Sequence, residues 1–425
     1  MKYRCRHLIN SLIAYSILSF PLSAQINDFE GSEFSRGRSL TFSEALDRAL
    51  KRAPQLNISR DEIGESFGRQ IQSRQLPNPI ASYSVENVFG VHNWKGWDEA
   101  ESRYELEQLI ELGGKRNYRF QTANYQYSAA RAAYEAQKIV VMNHLKKAFI
   151  KAVFAQEIYH LAAEQLHTSE EAHKIVLEKV EAGKSSLLQK SKADIAFAAS
   201  RIEYERAAVD FAKAKEKLSM HWGSAEPDFE RVQFQFYELE PPASFECRLD
   251  LLKNNPELIR SKLENCAAQQ NLNLERAEAV PDLVVTVGYK TLQDKRDKGM
   301  ILGASIPLPI FDHNEGNIRR ARYEKQKAHD KHRALLMLLE NKLSASYKEL
   351  VRVYNEAELL RSTVLTAASQ SFEFTREGYR EGKFEYLDMI DSQTTFFDVK
   401  EKFIHALLNY HQSHADIEYL ISQED

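Results

Sequence analysis

The sequence predicts a mainly α-helical chain that carries short amphipathic β-hairpins, the whole pattern occurring twice. Three observations support this. Stretches from Lys115 to Ala182, Lys184 to Trp222, Asn317 to Glu377 and Lys383 to Asp425 contain neither Gly nor Pro, the two residues that end helices. Gly and Pro gather instead around 64–114 and 281–316, where the apolar period changes from about 3.6 to about 2. Landmarks of the first half recur in the second in the same order.

The chain opens with Lys2, Arg4 and Arg6 before an apolar stretch from Leu8 to Phe20, closed by Leu22-Ser23-Ala24. This reads as a secretory signal peptide over 1–24, followed by an N-terminal extension over 25–39. Cys5 precedes the apolar stretch, whereas a lipidated cysteine follows it, so no N-terminal lipid anchor is expected. Past Ala24 no run is long and apolar enough for a spanning helix, so membrane contact must be peripheral or through strands.

Thr41 and Glu44 form a capping box opening the first half. Ala81, Tyr83 and Val85 then alternate with Ser82, Ser84 and Glu86, and after a loop with Trp94, Gly96 and Trp97, Tyr104, Leu106 and Ile110 alternate with Arg103, Glu105, Glu107 and Glu111. That is a hairpin over about 80–112, with Gln108 falling on the apolar side. The run from Lys115, at about 1.5 Å per residue, would make a helix of roughly 100 Å. In it Ile139, Met142, Phe149, Ala152, Tyr159 and Leu166 recur at helical spacing, as Phe396, Val399, Phe403, Leu407 and Tyr410 do near the end of the chain, a coiled-coil-like pattern. Around Pro227, Pro241 and Pro242 a linker over 221–247 joins the halves.

In the second half Leu283, Val285, Val287 and Tyr289 alternate with Asp282, Val284, Thr286, Gly288 and Lys290. Met300, Leu302, Ala304 and Ile306 alternate with Ile301, Gly303 and Ser305, and polar residues 293–298 supply the turn of a second hairpin over 282–307. Ala53-Pro-Gln-Leu56 matches Asn255-Pro-Glu-Leu258, Pro79 matches Pro281 at the same offset, and Glu181-Ala-Gly-Lys184 matches Arg380-Glu-Gly-Lys383. The chain therefore divides into a first repeat over 40–220 and a second over 248–422, each reading helix, hairpin, long helix, turn, long helix.

Strands of about ten residues suit a bilayer, yet four cannot close a barrel. Open edges in lipid leave unpaired backbone groups at several kcal/mol each, so a membrane reading requires an oligomer. Two copies would give a barrel filled by its own side chains, and three would give a usable lumen.

The repeat, the paired hairpins and the segment Glu381-Gly-Lys-Phe-Glu-Tyr-Leu-Asp-Met-Ile-Asp-Ser-Gln393 resemble the TolC-type outer membrane efflux protein family, from about Leu40 to Ser422. Glu111-Leu-Gly-Gly-Lys-Arg116 and Pro307-Leu-Pro-Ile-Phe-Asp-His-Asn-Glu-Gly316 resemble its heavy-metal (CzcC/CusC-like) branch. The resemblance implies a homotrimer in the cell outer membrane, with a twelve-stranded barrel, four strands per chain, and a long α-helical periplasmic tunnel. It also implies a periplasmic adaptor, or membrane fusion protein, and an inner-membrane pump of the resistance-nodulation-division (RND) type as partners. It further implies that Asp388 and Asp391, three apart on one helix face, form the periplasmic gate. Phe384 departs from the archetype, which has a basic residue there. An exposed acidic helix face is the plainer reading of the pair.

Glu86, Glu105, Glu107 and Glu111 lie on the polar side of the first hairpin and are candidate channel-lining residues, or simply solvated ones. The turns at Gly183-Lys184 and Gly382-Lys383 are candidate tips for adaptor docking, although a plain helix-hairpin turn explains the same glycines. His405, His411 and His414 fall at helical spacing, but no metal-ligand motif supports them, and surface histidines are the simpler reading. Cys247 and Cys266 are positioned so that pairing is open in an oxidising compartment.

The 425 residues carry 57 Lys+Arg, 61 Asp+Glu and 43% hydrophobic residues, too apolar a mixture for disorder, and the net charge of −4 offers no nucleic-acid signal. No nucleophile-base constellation, phosphate loop or cofactor fingerprint is present, so neither an enzyme nor a cofactor is expected. The expected function is a passive outer membrane duct, with heavy-metal cations as cargo. The alternatives are a duct for drugs or type I protein secretion, or a periplasmic coiled-coil scaffold or adaptor whose hairpins never enter lipid.

Overall fold

The structure, a computed structural model, describes residues 38–422; the expected signal peptide and the extension up to residue 37 lie outside them. In chain order the elements begin with β1 (Ser39–Thr41), α1 (Phe42–Arg52), α2 (Pro54–Ser73), β2 (Ile80–Glu86), β3 (Glu101–Ile110), α3 (Lys115–Glu181) and α4 (Leu187–Ser219). They continue with β4 (Arg231–Gln233), α5 (Phe245–Leu252), α6 (Pro256–Glu278), β5 (Leu283–Leu292), β6 (Asp297–Ser305), α7 (Glu315–Leu359), α8 (Leu365–Arg380) and α9 (Tyr386–Ile421). A single π-helical turn, Leu360–Val364, separates α7 from α8. The chain forms two compact units, one of Ser59–Tyr134 and Pro256–Leu336, the other of residues 38–58, Glu135–Asn255 and 337–422.

The first unit holds one antiparallel sheet of order β2-β3-β5-β6, so β2 and β6 are its open edges. The helical segments of this unit all join the sheet at the same end: α2 leads into β2, β3 into α3, α6 into β5 and β6 into α7. At the other end lie the loop 87–100 and the turn 293–296, tied together where the Gln293 amide donates to the Ala100 carbonyl at 3.0 Å. The alternation read from the sequence places strands β2, β5 and β6 well. The second strand, however, ends at Ile110, so Glu111 lies outside it, and the second turn is shorter than 293–298 because Asp297 and Lys298 already pair with Leu292 and Thr291.

The second unit is built on long helices. Thr41 caps α1 as expected: its hydroxyl accepts from the Glu44 amide and the Glu44 carboxylate from the Thr41 amide, both at 3.3 Å. Its main core joins Leu40, Ala45, Leu145, Phe149, Trp222, Phe236, Phe396, Phe403 and Leu407, drawn from β1, α1, α3, α9 and the connecting segment. That segment does not simply link the halves. Within it β4 pairs in parallel with β1, a two-stranded sheet the sequence analysis did not anticipate. Gln156 of α3 holds β4 in place, accepting from the Val232 amide at 2.8 Å and donating to the Val232 carbonyl at 3.1 Å.

Candidate channel wall and helix-hairpin tips

Register fixes which side chains share a face of the sheet, because directly paired residues point the same way. Tyr83, Tyr104, Tyr289 and Met300 fall in one cross-strand row, and Ala81, Leu106, Val287 and Leu302 in the next. Four separate alternations thus merge into one apolar face. Its large side chains have nothing over them: Met300 is 75% and Leu302 77% exposed. Exposed Phe89, Trp94 and Trp97 lie in the loop beyond the band, with Phe89 edge-on to Trp97 at 5.5 Å.

The opposite face is polar. Its rows pair Glu86 with Glu101 and Leu292, Ser84 with Arg103 and Lys290, Ser82 with Glu105 and Gly288, and Ile80 with Glu107 and Thr286. Near the loop end the charges are mutually paired. Glu101 accepts from Arg103 at 3.1 Å and from Lys290 at 3.3 Å, while Arg103 also reaches Glu86 at 3.2 Å. Of the four expected lining carboxylates, Glu86 is therefore neutralised by a partner. Glu111 is taken up as well, by a bidentate pair with Arg119 at 2.6 and 3.0 Å. Glu105 and Glu107 lie on this polar face with no ion-pair partner among the described residues.

Glycine shapes this wall. A Cβ at Gly288 would lie 2.9 Å from both the Glu105 side chain and the Tyr104 carbonyl, so Gly288 leaves the space across which Glu105 lies. The Leu-Gly-Gly-Lys-Arg motif has an equally local cause. Gly113 (φ 67°) passes so near α6 that a Cβ would meet the Ala277 carbonyl and Val280 at 3.0 Å. Two residues on, buried Lys115 pairs with Asp282 at 2.8 Å and Glu278 at 3.4 Å, and Asp282 also accepts from the Leu112 amide. Sequence reasoning used this motif only for resemblance; the buried lysine between two glycines and an acidic strand entry was its physical signal.

The two helix turns are the same structure made twice. Gly183 and Gly382 are left-handed (φ 68° and 78°), and the amides of Lys184 and Lys383 donate to carbonyls five residues back, Lys179 at 2.8 Å and Gly378 at 2.7 Å. Each is a Schellman cap, which explains both glycines without invoking a partner. Beyond the second turn, α9 opens with a capping box in which the Asp388 carboxylate accepts from the Glu385 amide at 3.1 Å. Asp388 and Asp391 are both exposed, on the side of α9 away from buried Tyr386 and Met389. Phe384, in place of a basic residue, packs over Gly378, where a Cβ would come within 2.1 Å of its ring.

His411 donates to the Phe236 carbonyl at 2.8 Å, His414 pairs with Glu418 at 3.0 Å, and no metal-binding cluster occurs among the described residues. No disulfide joins Cys247 to Cys266. Among the described residues no helix is long and apolar enough to cross a membrane.

Residues 87–224 and 249–422 match the family described as outer membrane efflux protein. The chain belongs to the outer membrane efflux protein family. This efflux family is one of transport ducts and not of enzymes, and it places the protein in the outer membrane. The efflux protein is 28% identical over 387 residues to the cobalt-zinc-cadmium resistance protein CzcC of Cupriavidus metallidurans, with 90% of each chain covered. It is similar to the outer-membrane channel OprN, with a TM-score of 0.74 at 14% identity over 92% of this chain and 94% of that one. It is also similar to CusC, with a TM-score of 0.70 at 16% identity over 96% and 98% of the two chains. The fold expected from the sequence, a TolC-like outer membrane channel protein with a helical periplasmic part, is thus the fold of this efflux protein.

Proposed function

We propose that three copies of this chain close a twelve-stranded barrel and act as the passive outer membrane duct of a tripartite efflux system. A periplasmic adaptor and an inner-membrane RND pump are the other members. One observation supports this above the rest: a four-stranded sheet with one apolar and one polar face and two unpaired edges. In a bilayer such edges demand further strands, and further copies are the simplest source.

Three-fold symmetry turns Glu105 and Glu107 into two rings of unpaired carboxylate on the lumen wall, which favour cations over anions. Asp388 and Asp391 act as the periplasmic gate, where rings of like charge resist constriction. The turns at Gly183-Lys184 and Gly382-Lys383 are the adaptor-facing tips. The repeats span 40–220 and 248–422, joined by 221–247. Heavy-metal cations are the cargo, a reading supported by the similarity to a cobalt-zinc-cadmium resistance protein over nine-tenths of both chains and by the unpaired wall carboxylates.

The test is deletion of the gene followed by survival measurements across zinc, cobalt, cadmium, copper and silver, beside a detergent and drug panel. Sensitivity to one or more metals, restored by the gene, is expected. Sensitivity confined to drugs or detergents would replace the cargo, and unaltered survival throughout would remove the efflux role.

A further inference from the structure

The apolar face of the sheet changes character along its length. Toward the helix end its rows are aliphatic, as in Ala81, Leu106, Val287 and Leu302. Their one amide, Gln108, is spent on the Pro77 and Leu109 carbonyls at 3.1 and 2.9 Å. One row nearer the loop end, Tyr83, Tyr104 and Tyr289 stand side by side with Met300, the first two rings 4.8 Å apart. Val85, Ser102, Thr291 and Lys298 follow as the last row of this face.

Among the described residues Lys298 is the one charged side chain that the strands place on this face. Back to back with its row, on the polar face, lie Glu86, Glu101, Leu292 and Asp297. At this level the strands therefore send carboxylates one way and a single ammonium the other. Lys298 is exposed and has no ion-pair partner among the described residues, and the Ser102 and Thr291 hydroxyls bond to none of them. Paired residues on neighbouring strands lie about 5 Å apart, so the two hydroxyls and the base of the lysine form a line about 10 Å long. The loop and turn beyond carry Lys95, Lys295 and Arg296 against Asp98, Glu99 and Asp294, so that end as a whole has no excess charge. What sets Lys298 apart is its place.

We infer that the row Ser102, Thr291 and Lys298 is a binding site for the headgroup of a phosphorylated glycolipid of the outer leaflet. The inference rests on the barrel proposed above, whose apolar face looks to lipid and whose loop end looks outward. The depth agrees. From Ile110 and Leu283 up to the tyrosine row the strands rise about 20 Å, close to the apolar band of about 25 Å that outer membrane barrels present. Tyrosines mark the edge of such a band, so Lys298, one row beyond them, reaches the headgroup layer. A lysine there lays its stem along apolar surface and keeps its ammonium among the headgroups, where a phosphate gives it a charge-assisted hydrogen bond. The chemistry beside it selects the lipid. A phospholipid with one phosphate on glycerol would meet the ammonium and leave the hydroxyls unused, whereas a phosphorylated disaccharide is long enough to meet all three groups.

The test uses the full mature chain purified from outer membranes in mild detergent and stripped of lipid. The probe is lipid A, the acylated disaccharide with two phosphates, with phosphatidylglycerol and inorganic phosphate for comparison. Native mass spectrometry should show wild type binding lipid A about fivefold more tightly than phosphatidylglycerol. Lys298→Glu should lose about tenfold of the lipid A affinity and Lys298→Arg should keep most of it. Ser102→Ala with Thr291→Val should weaken lipid A and leave phosphatidylglycerol unchanged. Equal lipid A binding by wild type and Lys298→Glu, or none by wild type, would overturn the site. Equal affinity for the two lipids, or displacement of lipid A by inorganic phosphate, would overturn the glycolipid as its occupant. Leu302→Lys separates this failure from that of the barrel. Its side chain is exposed in the lone chain, and a charge there on a lipid-facing wall should cut outer membrane assembly about tenfold. Normal assembly of Leu302→Lys would overturn the barrel reading itself. Defective assembly beside lipid A binding indifferent to Lys298 would overturn the headgroup site alone.

Discussion

The ammonium of Lys179 lies 3.8 Å from the centre of the Tyr379 ring and donates to the Tyr379 carbonyl at 2.5 Å. Two side-by-side helix ends are joined this way, since Lys179 ends α3 and Tyr379 ends α8. A cation at the carbonyl end of a helix is favourable, and the ring face adds to it. Burial, with Lys184 as a lesser contributor, holds the Lys179 pKa below its usual value, the cost of placing a charge there. Lys179→Ala should free the end of α8 by about 1 kcal/mol. Amide exchange across 378–384 should then accelerate about fivefold. Unchanged exchange would show that the contact restrains nothing.

Lys115 is the strongest single test of how the sheet is joined to its helices. Its side chain is 5% exposed and holds Asp282 at 21% exposure. Lys115→Met keeps the volume and leaves Asp282 and Glu278 without their cation, which in a buried pair costs about 3 kcal/mol or more. Assembly in the outer membrane should fall several-fold. The double variant Lys115→Met with Asp282→Asn should recover part of the loss, and equal levels in wild type and single variant would dismiss the pair as structural.

Much of this architecture was legible in the sequence, because the two periodicities are strong and local. The switch to period two found both hairpins, and the absence of Gly and Pro found α3 and α9 to within a few residues. What was missed depends on contacts remote in sequence. β1 and β4 are short strands whose pairing depends on Leu40 and Val232 meeting in one core, and nothing in Ser39–Thr41 alone announces a strand. Glu111 reads as the next polar residue of an alternating strand, and only the arrival of Arg119 from the first turns of α3 takes it out. The π turn has no marker of its own in Leu360–Val364. Asp388 was singled out for its charge, while its hydrogen bond as a helix cap emerges only with the backbone.

Gly288 should tolerate no side chain. Gly288→Val places atoms 2.9 Å from Glu105 and from the Tyr104 backbone, and only the first of these can move aside. Overpacking of this kind costs about 1–3 kcal/mol. At Gly303 the nearest contact is an ordinary 3.4 Å to Thr286, so Gly303→Ala serves as the control. Heat-modifiable gel migration should show a lowered transition temperature for Gly288→Val alone; matching transitions in the two variants would refute the close approach.

Acid should loosen the joint of α9 with α3 and the connecting segment. Burial pushes His411 below its usual pKa, only partly offset by its bond to the Phe236 carbonyl. Burial would raise Glu418, yet His414 and Lys146 together outweigh it and leave its carboxyl lowered. Both groups bind protons more readily when unfolded, so both favour the folded state above the unfolded pKa and lose that contribution as pH falls. The His411 part fades below about pH 6.5 and the Glu418 part below about 4.5. Thermal unfolding followed across pH 7.5 to 4 should show declining stability, with the step below 6.5 reduced in His411→Phe, since burial lowers His221 and His332 as well. A variant with the same pH profile as wild type would assign the acid lability elsewhere.

The measurement closest to the central claim is single-channel recording from the purified protein in a planar bilayer under a salt gradient. Discrete conductance steps with a reversal potential of cation selectivity are expected. Asp388→Asn with Asp391→Ala should change conductance or selectivity, since the asparagine side-chain oxygen can still accept from the Glu385 amide while both charges are lost. A bilayer that stays silent after insertion of correctly folded protein would contradict the duct. Steps that ignore the double substitution would leave the duct and remove the gate from those two aspartates.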